Sequence, residues 1–181
     1  MLRSAAAIAL ILTTFQPASA LDPATGTPIL TIGGTVAEPN RGPFDPFRDA
    51  FLEFNERRFE AAAEFDRAML SALPQMRIRA NAEAFPAAIT ADGPSLSDVL
   101  KAAGVAESAT ITLLAFDGYA IDLTAEDRAA TDFILAHTID GRPLGPGQRG
   151  PLWLLSDTGD GLASEAQEAA WIWSVFYIEA Q

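Results

Sequence analysis

The chain has 181 residues and contains no cysteine, one histidine (His137) and one lysine (Lys101). Without a thiol there is no disulfide framework, no thiolate nucleophile and no cysteine-bound metal. A single imidazole excludes histidine-rich metal sites and makes any Ser-His-Asp triad depend on His137 alone. His137 stands in the apolar segment FILAHT, where a satisfied, partly buried side chain is the expected role. Lys101 follows no glycine-rich loop, so a Walker-type phosphate site is absent. Gly33-Gly34 lacks the rest of a dinucleotide fingerprint, and no serine sits in a Gly-x-Ser-x-Gly elbow. The acidic pairs Asp157/Asp160 and Glu165/Glu168 lack the spacing of an EF-hand.

Positive charge is also scarce: 12 basic residues face 24 acidic ones, for a net charge of −12. No basic cluster runs against that excess, so nucleic-acid binding is disfavoured. One long apolar run exists, Ser4–Phe15, and at about a dozen residues it is too short to span a bilayer. Met1–Arg3 before it, and Pro17 with Ala18-Ser19-Ala20 after it, give residues 1–20 the layout of a secretory signal peptide cleaved after Ala20. An uncleaved anchor helix is the alternative. The remaining 21–181 is expected to form a single domain that does not insert in a membrane. It holds 11 basic and 24 acidic residues, net −13. An exported chain without disulfides fits a bacterial periplasm.

Pro28–Val36 is β-branched and reads as an opening strand, and Ala37–Phe44 as a loop. Asp45-Pro46 is a good helix start, and Phe47, Phe51 and Phe54 follow at helical spacing, repeated by Phe65 and Met69. Residues 45–73 are therefore expected to be one long helix or two short ones. Gln75–Arg79 alternates as a strand, Asp92-Gly93-Pro94 reads as a turn, and Ser95–Ala103 as a capped helix with Gly104 just beyond it. Thr110–Phe116 and Tyr119–Leu123 flank Asp117-Gly118, a two-residue hairpin signal. Thr124–Asp127 opens a short helix, and Phe133–Thr138 is a strand before a tight turn at Asp140-Gly141. Pro151–Leu155 is a strand or a buried run. Trp171–Ala180 is an aromatic strand, with Trp171, Trp173, Val175 and Tyr177 on one face and Ile172, Phe176 and Ile178 on the other. Strands and helices do not alternate regularly, so the class is α+β.

Phe85, Tyr119, Trp153, Trp171 and Trp173 are available for stacking on a flat ligand, although most such rings are expected in the core. Arg79, Arg142 and Arg149 supply planar donors suited to a carboxylate, a phosphate or a heteroaromatic edge.

Six ordered motifs then coincide: Phe65-Asp66 through Leu73-Pro74-Gln75, Asp92–Leu100, Tyr119-Ala120-Ile121, Asp140–Leu144, Gly150–Trp153 and a terminal strand with Trp173. Together they resemble the sulfite-oxidase-type molybdopterin-binding domain, and most closely its small exported members, over most of Pro28–Ala180. The resemblance implies that fold, with mixed sheets and short helices; the 45–73 segment is longer than usual for the family. In full enzymes of the family a cysteine after the strand matching Gln75–Arg79 holds molybdenum. Here that loop, Ala80–Pro86, reads ANAEAFP, so the thiolate ligand is missing and molybdenum chemistry is not expected. The small members resemble non-catalytic pterin-binding proteins, some of them periplasmic partners of membrane sensors that control cyclic-di-GMP enzymes. That role, with Arg79, Asn81, Phe85, Asp117, Tyr119, Arg149 and Trp173 as ligand contacts, is what the resemblance implies for this chain. The alternatives are a protein-interaction domain without a ligand and a molybdopterin-dependent oxidoreductase. Three departures stand out: Ala84 and Ala170 replace a usual tryptophan and arginine, and Asp117-Gly118 replaces asparagine-aspartate.

Overall fold

The computed structural model describes residues 21–181, so the signal-peptide reading of 1–20 lies outside the described residues. The elements in chain order are β1 (Pro28–Gly34), α1 (Ala50–Phe54), β2 (Ala63–Asp66), α2 (Arg67–Ala72), β3 (Gln75–Ala80), β4 (Ile89–Pro94), α3 (Leu96–Ala102) and β5 (Ile111–Ala115). There follow β6 (Ala120–Leu123), α4 (Ala125–Ala130), β7 (Phe133–Ala136), β8 (Thr138–Ile139), β9 (Arg142–Pro143), β10 (Leu152–Ser156), α5 (Glu165–Ala170) and β11 (Trp173–Ala180). No helix among the described residues is long and apolar enough to cross a membrane.

The strands form two sheets, so the α+β class holds. In the seven-stranded sheet the path runs β2-β1-β11-β10-β7, with β5 pairing β11 and β6. The four-stranded sheet runs β3-β4-β8-β9. Strand β11 is the hub, parallel to β1 and antiparallel to β5 and β10. Its neighbours β5 and β10 are buried at every position, which a strand covered on both faces requires. Helix α3 lays Leu96, Val99 and Leu100 into the main core with Leu30, Ile32, Leu113 and Leu154. A second core joins the smaller sheet (Ile78, Ala80, Ala91) to Ile134, Trp153, Leu155 and Trp171.

Of the two alternatives for 45–73, two short helices are found and one long helix is not, and the segment between them is corrected to a strand. Only Ala50–Phe54 and Arg67–Ala72 are helical, and between them Ala63–Asp66 is a strand paired antiparallel with β1. Glu56 turns the chain at φ 57°, and Arg41 and Ala62 bridge across the loop. The buried Ala63 and Phe65 flank half-buried Glu64, a two-residue period hidden beneath the helical spacing of the phenylalanines. Asp66 then caps α2, its Oδ1 accepting from Met69 N at 2.8 Å while Oδ2 accepts from Thr25 N and Gly26 N.

Asp92-Gly93-Pro94 is likewise no turn; it belongs to β4, which pairs with β3 along its whole length. Gly93 is demanded there because a Cβ would sit 2.1 Å from Leu135 O of the crossing strand. The Asp117-Gly118 hairpin has a three-residue loop, Phe116–Gly118. Ala115 and Tyr119 close it, and Gly118 at φ 85° completes the bend. Phe133–Thr138 divides at His137, where the chain passes from one sheet to the other. The simple alternation expected of Trp171–Ala180 also fails. Ser174 sits at φ 57° and the register shifts between Val175 and Tyr177. Val175 therefore joins Ile172 and Ile178 in the main core, while Tyr177 enters a separate cluster with Leu52, Phe59 and Leu114.

Candidate functional site

Strand β10 delivers Trp153 to the second core, where it is buried to 4% exposure and donates its indole N–H to Trp171 O at 3.3 Å. Trp171 in turn donates to Ser156 Oγ at 3.1 Å. Phe85, from the Ala80–Pro86 loop, packs on both rings, with centroids 5.7 Å from Trp153 and 6.0 Å from Trp171. The loop is turned by Phe85 N donating to Ala82 O. Phe85, Pro86, Ile89, Ile139, Leu144, Gln148, Arg149 and Trp153 line a shallow surface pocket of about 250 Å³.

Arg149 forms one rim. Its guanidinium lies 4.5 Å over the Trp153 ring, 5.8 Å from Phe85 and 6.0 Å from Trp173. Cation–π contacts of this kind contribute about 0.5–2 kcal/mol. The backbone beneath is pinned by the β11 bulge: Ser174 N donates to Arg149 O at 3.0 Å. The next residue, Gly150, is buried against Leu144, and a Cβ there would meet Leu144 C at 2.7 Å.

The seven residues expected to bind a ligand separate into three groups. Phe85, Arg149 and Trp173 come together at this pocket. Asp117 and Tyr119 lie on the exposed tip of the β5–β6 hairpin, where Asp117 Oδ1 accepts from Tyr119 N at 3.0 Å. That tip adjoins the bulge through Phe116 N donating to Ser174 O, one residue from Trp173. Arg79 and Asn81 do not line the pocket. Ile78 and Ala80 face the second core, so strand alternation points the exposed Arg79 side chain the other way. Its backbone is engaged instead, with Arg79 N donating to Asp157 Oδ1 and Arg79 O accepting from Thr158 N. Asn81 O accepts from Ala163 N.

Trp153 was among the rings available for stacking but not among the expected ligand contacts, and Gln148 was not singled out. Gln148 directly precedes Arg149, and Trp153 alternates with Leu152 and Leu154, so proximity to Arg149 was the available signal.

Three larger clefts, about 400 Å³ beside Ser95, about 580 Å³ beside Phe59 and about 370 Å³ beside Asp127, have several of their polar groups already engaged. In the first, Asp98 is tied to Ser95, and Arg128 donates to Glu107 O and Ala109 O. In the second, Arg58 pairs with Glu53. His137 is half-buried, with Nε2 2.9 Å from Gln75 Oε1 and Nδ1 3.0 Å from Thr138 Oγ1. Burial, and then the positive Arg67, hold its pKa below the ordinary imidazole value. It is a structural junction between sheets. Among the described residues no group of three or more His, Cys, Asp or Glu is arranged to hold a metal ion.

The molecule is thus a mixed α+β protein with an aromatic pocket rimmed by a cation. Its fold is similar to part of a solved structure, the sulfane dehydrogenase SoxCD from Paracoccus pantotrophus. The TM-score is 0.53 at 16% identity, over 83% of this chain and 37% of that one. The chain thus spans well under half of its structural neighbour, and the likeness is a distant structural relationship. No family model and no curated protein matches the sequence.

Proposed function

We propose that this chain is a non-catalytic pterin-binding protein of the sulfite-oxidase-type fold, held in the periplasm as a sensory or regulatory partner of a membrane signalling protein such as a cyclic-di-GMP enzyme. The observation that carries the reading is the pocket of Phe85 and Trp153, with Arg149 and Trp173 at its edge. Its volume and largely apolar lining suit one flat bicyclic ring. The fold likeness to a sulfane dehydrogenase accords with the family resemblance carried by the sequence motifs. Phe85 stands in the loop that, by that resemblance, carries the metal ligand in full enzymes.

The residues present do not fit a molybdenum centre. The Ala80–Pro86 loop offers no soft thiolate, and the pocket lining has no carboxylate or imidazole to replace it. No redox step is assigned to this chain.

The test is calorimetric titration of purified protein with oxidised and reduced pterins, expected to give saturable binding with one pterin per chain. Absence of binding by every pterin below millimolar concentration would overturn the reading. A second reading, an interaction domain without a ligand, is favoured by the exposed aromatic rings of Phe47 (91%) and Phe54 (82%) beside the Phe51–Phe116–Phe176 cluster. It predicts that a periplasmic partner is captured equally well with and without pterin.

A further inference from the structure

The polar groups of the pocket are one-sided. Six of its lining side chains are apolar, and the other two are Gln148 and Arg149. Gln148 Oε1 accepts from Gly145 N at 3.2 Å, which leaves the amide N–H bonds of Gln148 as the group it offers elsewhere. The Arg149 guanidinium makes no hydrogen bond and no ion pair with any described residue, although its aromatic contacts hold it in place. The Trp153 indole N–H is already used. The pocket side-chain groups left without any partner among the described residues are therefore donors, the Gln148 amide N–H bonds and the Arg149 guanidinium with its full positive charge, in a chain where acidic residues outnumber basic ones two to one. A ring whose edge carries only N–H groups would leave Arg149 facing donors. A ring bearing a carboxylate meets the planar fork with two parallel acceptors.

We infer that this pocket takes a flat aromatic acid, its ring against Phe85, Ile89 and Ile139 and its carboxylate on Arg149, with Gln148 donating a further hydrogen bond. The inference rests on the pterin-site reading and narrows it to ligands with an anionic edge, which puts recognition at Arg149 and not at the carboxylate of Asp117. The surrounding negative charge adds selectivity, because an acid lacking a ring gains no burial to offset its repulsion.

The experiment titrates the full chain with pterin, pterin-6-carboxylate and 2-naphthoate by calorimetry, in the wild type and in Arg149→Gln and Arg149→Lys. A hydrogen-bonded charge of this kind is worth roughly tenfold to a hundredfold in affinity. Pterin-6-carboxylate is expected to bind at least about tenfold more tightly than pterin. Arg149→Gln removes that gap, and Arg149→Lys keeps part of it. The Arg149 side chain is exposed, and an unchanged melting temperature confirms that each variant is folded. Equal affinity for pterin and its carboxylate in the wild type, or a gap that survives Arg149→Gln, overturns the inference and leaves the pterin reading standing. Arg149-dependent binding of naphthoate without binding of either pterin does the reverse. Failure of all three ligands below millimolar concentration removes both.

Discussion

Gly33 and Tyr177 meet where β1 runs beside β11. Tyr177 is fully buried, burial raises its phenol pKa, and the neutral hydroxyl donates to Glu179. The ring crosses directly over Gly33, so that a Cβ there would lie 2.2 Å from the hydroxyl oxygen and 3.0 Å from Cζ. Gly33→Ala is expected to destabilise the fold by about 1–3 kcal/mol through overpacking, read as a lower urea midpoint. Gly42→Ala, with open space around it, is the neutral control. In the double variant Gly33→Ala/Tyr177→Phe the oxygen is gone but Cζ remains close. Part of the loss returns, and the two substitutions couple favourably in a double-mutant cycle. Strict additivity would mean that the hydroxyl is not the obstacle.

At the scale of elements, the bulge in β11 links fold to pocket. Ser174 holds a left-handed backbone while its N–H supports Arg149 O and its own O accepts from Phe116 N. A β-branched residue is strongly disfavoured at such a φ, so Ser174→Val is expected to cost about 1–3 kcal/mol and also to weaken pterin binding. Ser174→Gly is expected to keep both stability and binding, as measured by melting temperature and calorimetry; loss of binding in the glycine variant would show that the side chain, and not the bulge, matters. The bulge also marks the limit of what the sequence discloses. Helix α3 was legible because Ser95, Gly104 and three apolar residues agree, and the hairpin because Asp117-Gly118 lies between β-branched runs. Strand β2 was not, since the helical spacing of Phe51, Phe54, Phe65 and Met69 outweighed the alternation of Ala63–Phe65. Of the site, Phe85, Arg149 and Trp173 were legible as a ring-and-cation set. Arg79 was not excluded, because a strand's inward face depends on a partner sheet that sequence alone does not supply.

For the whole molecule, acid is the sensitive direction. Backbone N–H groups of Met69, Gly26 and Thr25 hold Asp66 below the ordinary carboxylate range, and hydrogen bonds from Thr124 do the same for Asp127. Burial and Arg67 lower His137. In each case the folded pKa lies below the unfolded value, so the stabilisation is present above the unfolded pKa and is lost as pH falls through the folded one. The His137 part begins to fade below about pH 6.5 and the carboxylate part below about pH 4. Urea midpoints between pH 7 and 2 are therefore expected to fall most steeply below about pH 4, with a shallower slope there in Asp66→Asn. Parallel curves for the two proteins would refute the role given to Asp66. The placement of β11 has a kinetic consequence. Its parallel partner β1 and its antiparallel neighbours β5 and β10 all precede it along the chain, and Thr31 pairs with Tyr177 across most of the polypeptide. The larger sheet cannot close on a ribosome-bound fragment that stops short of residue 173. Such high contact order makes folding slow and keeps the growing chain open until synthesis has passed its hub.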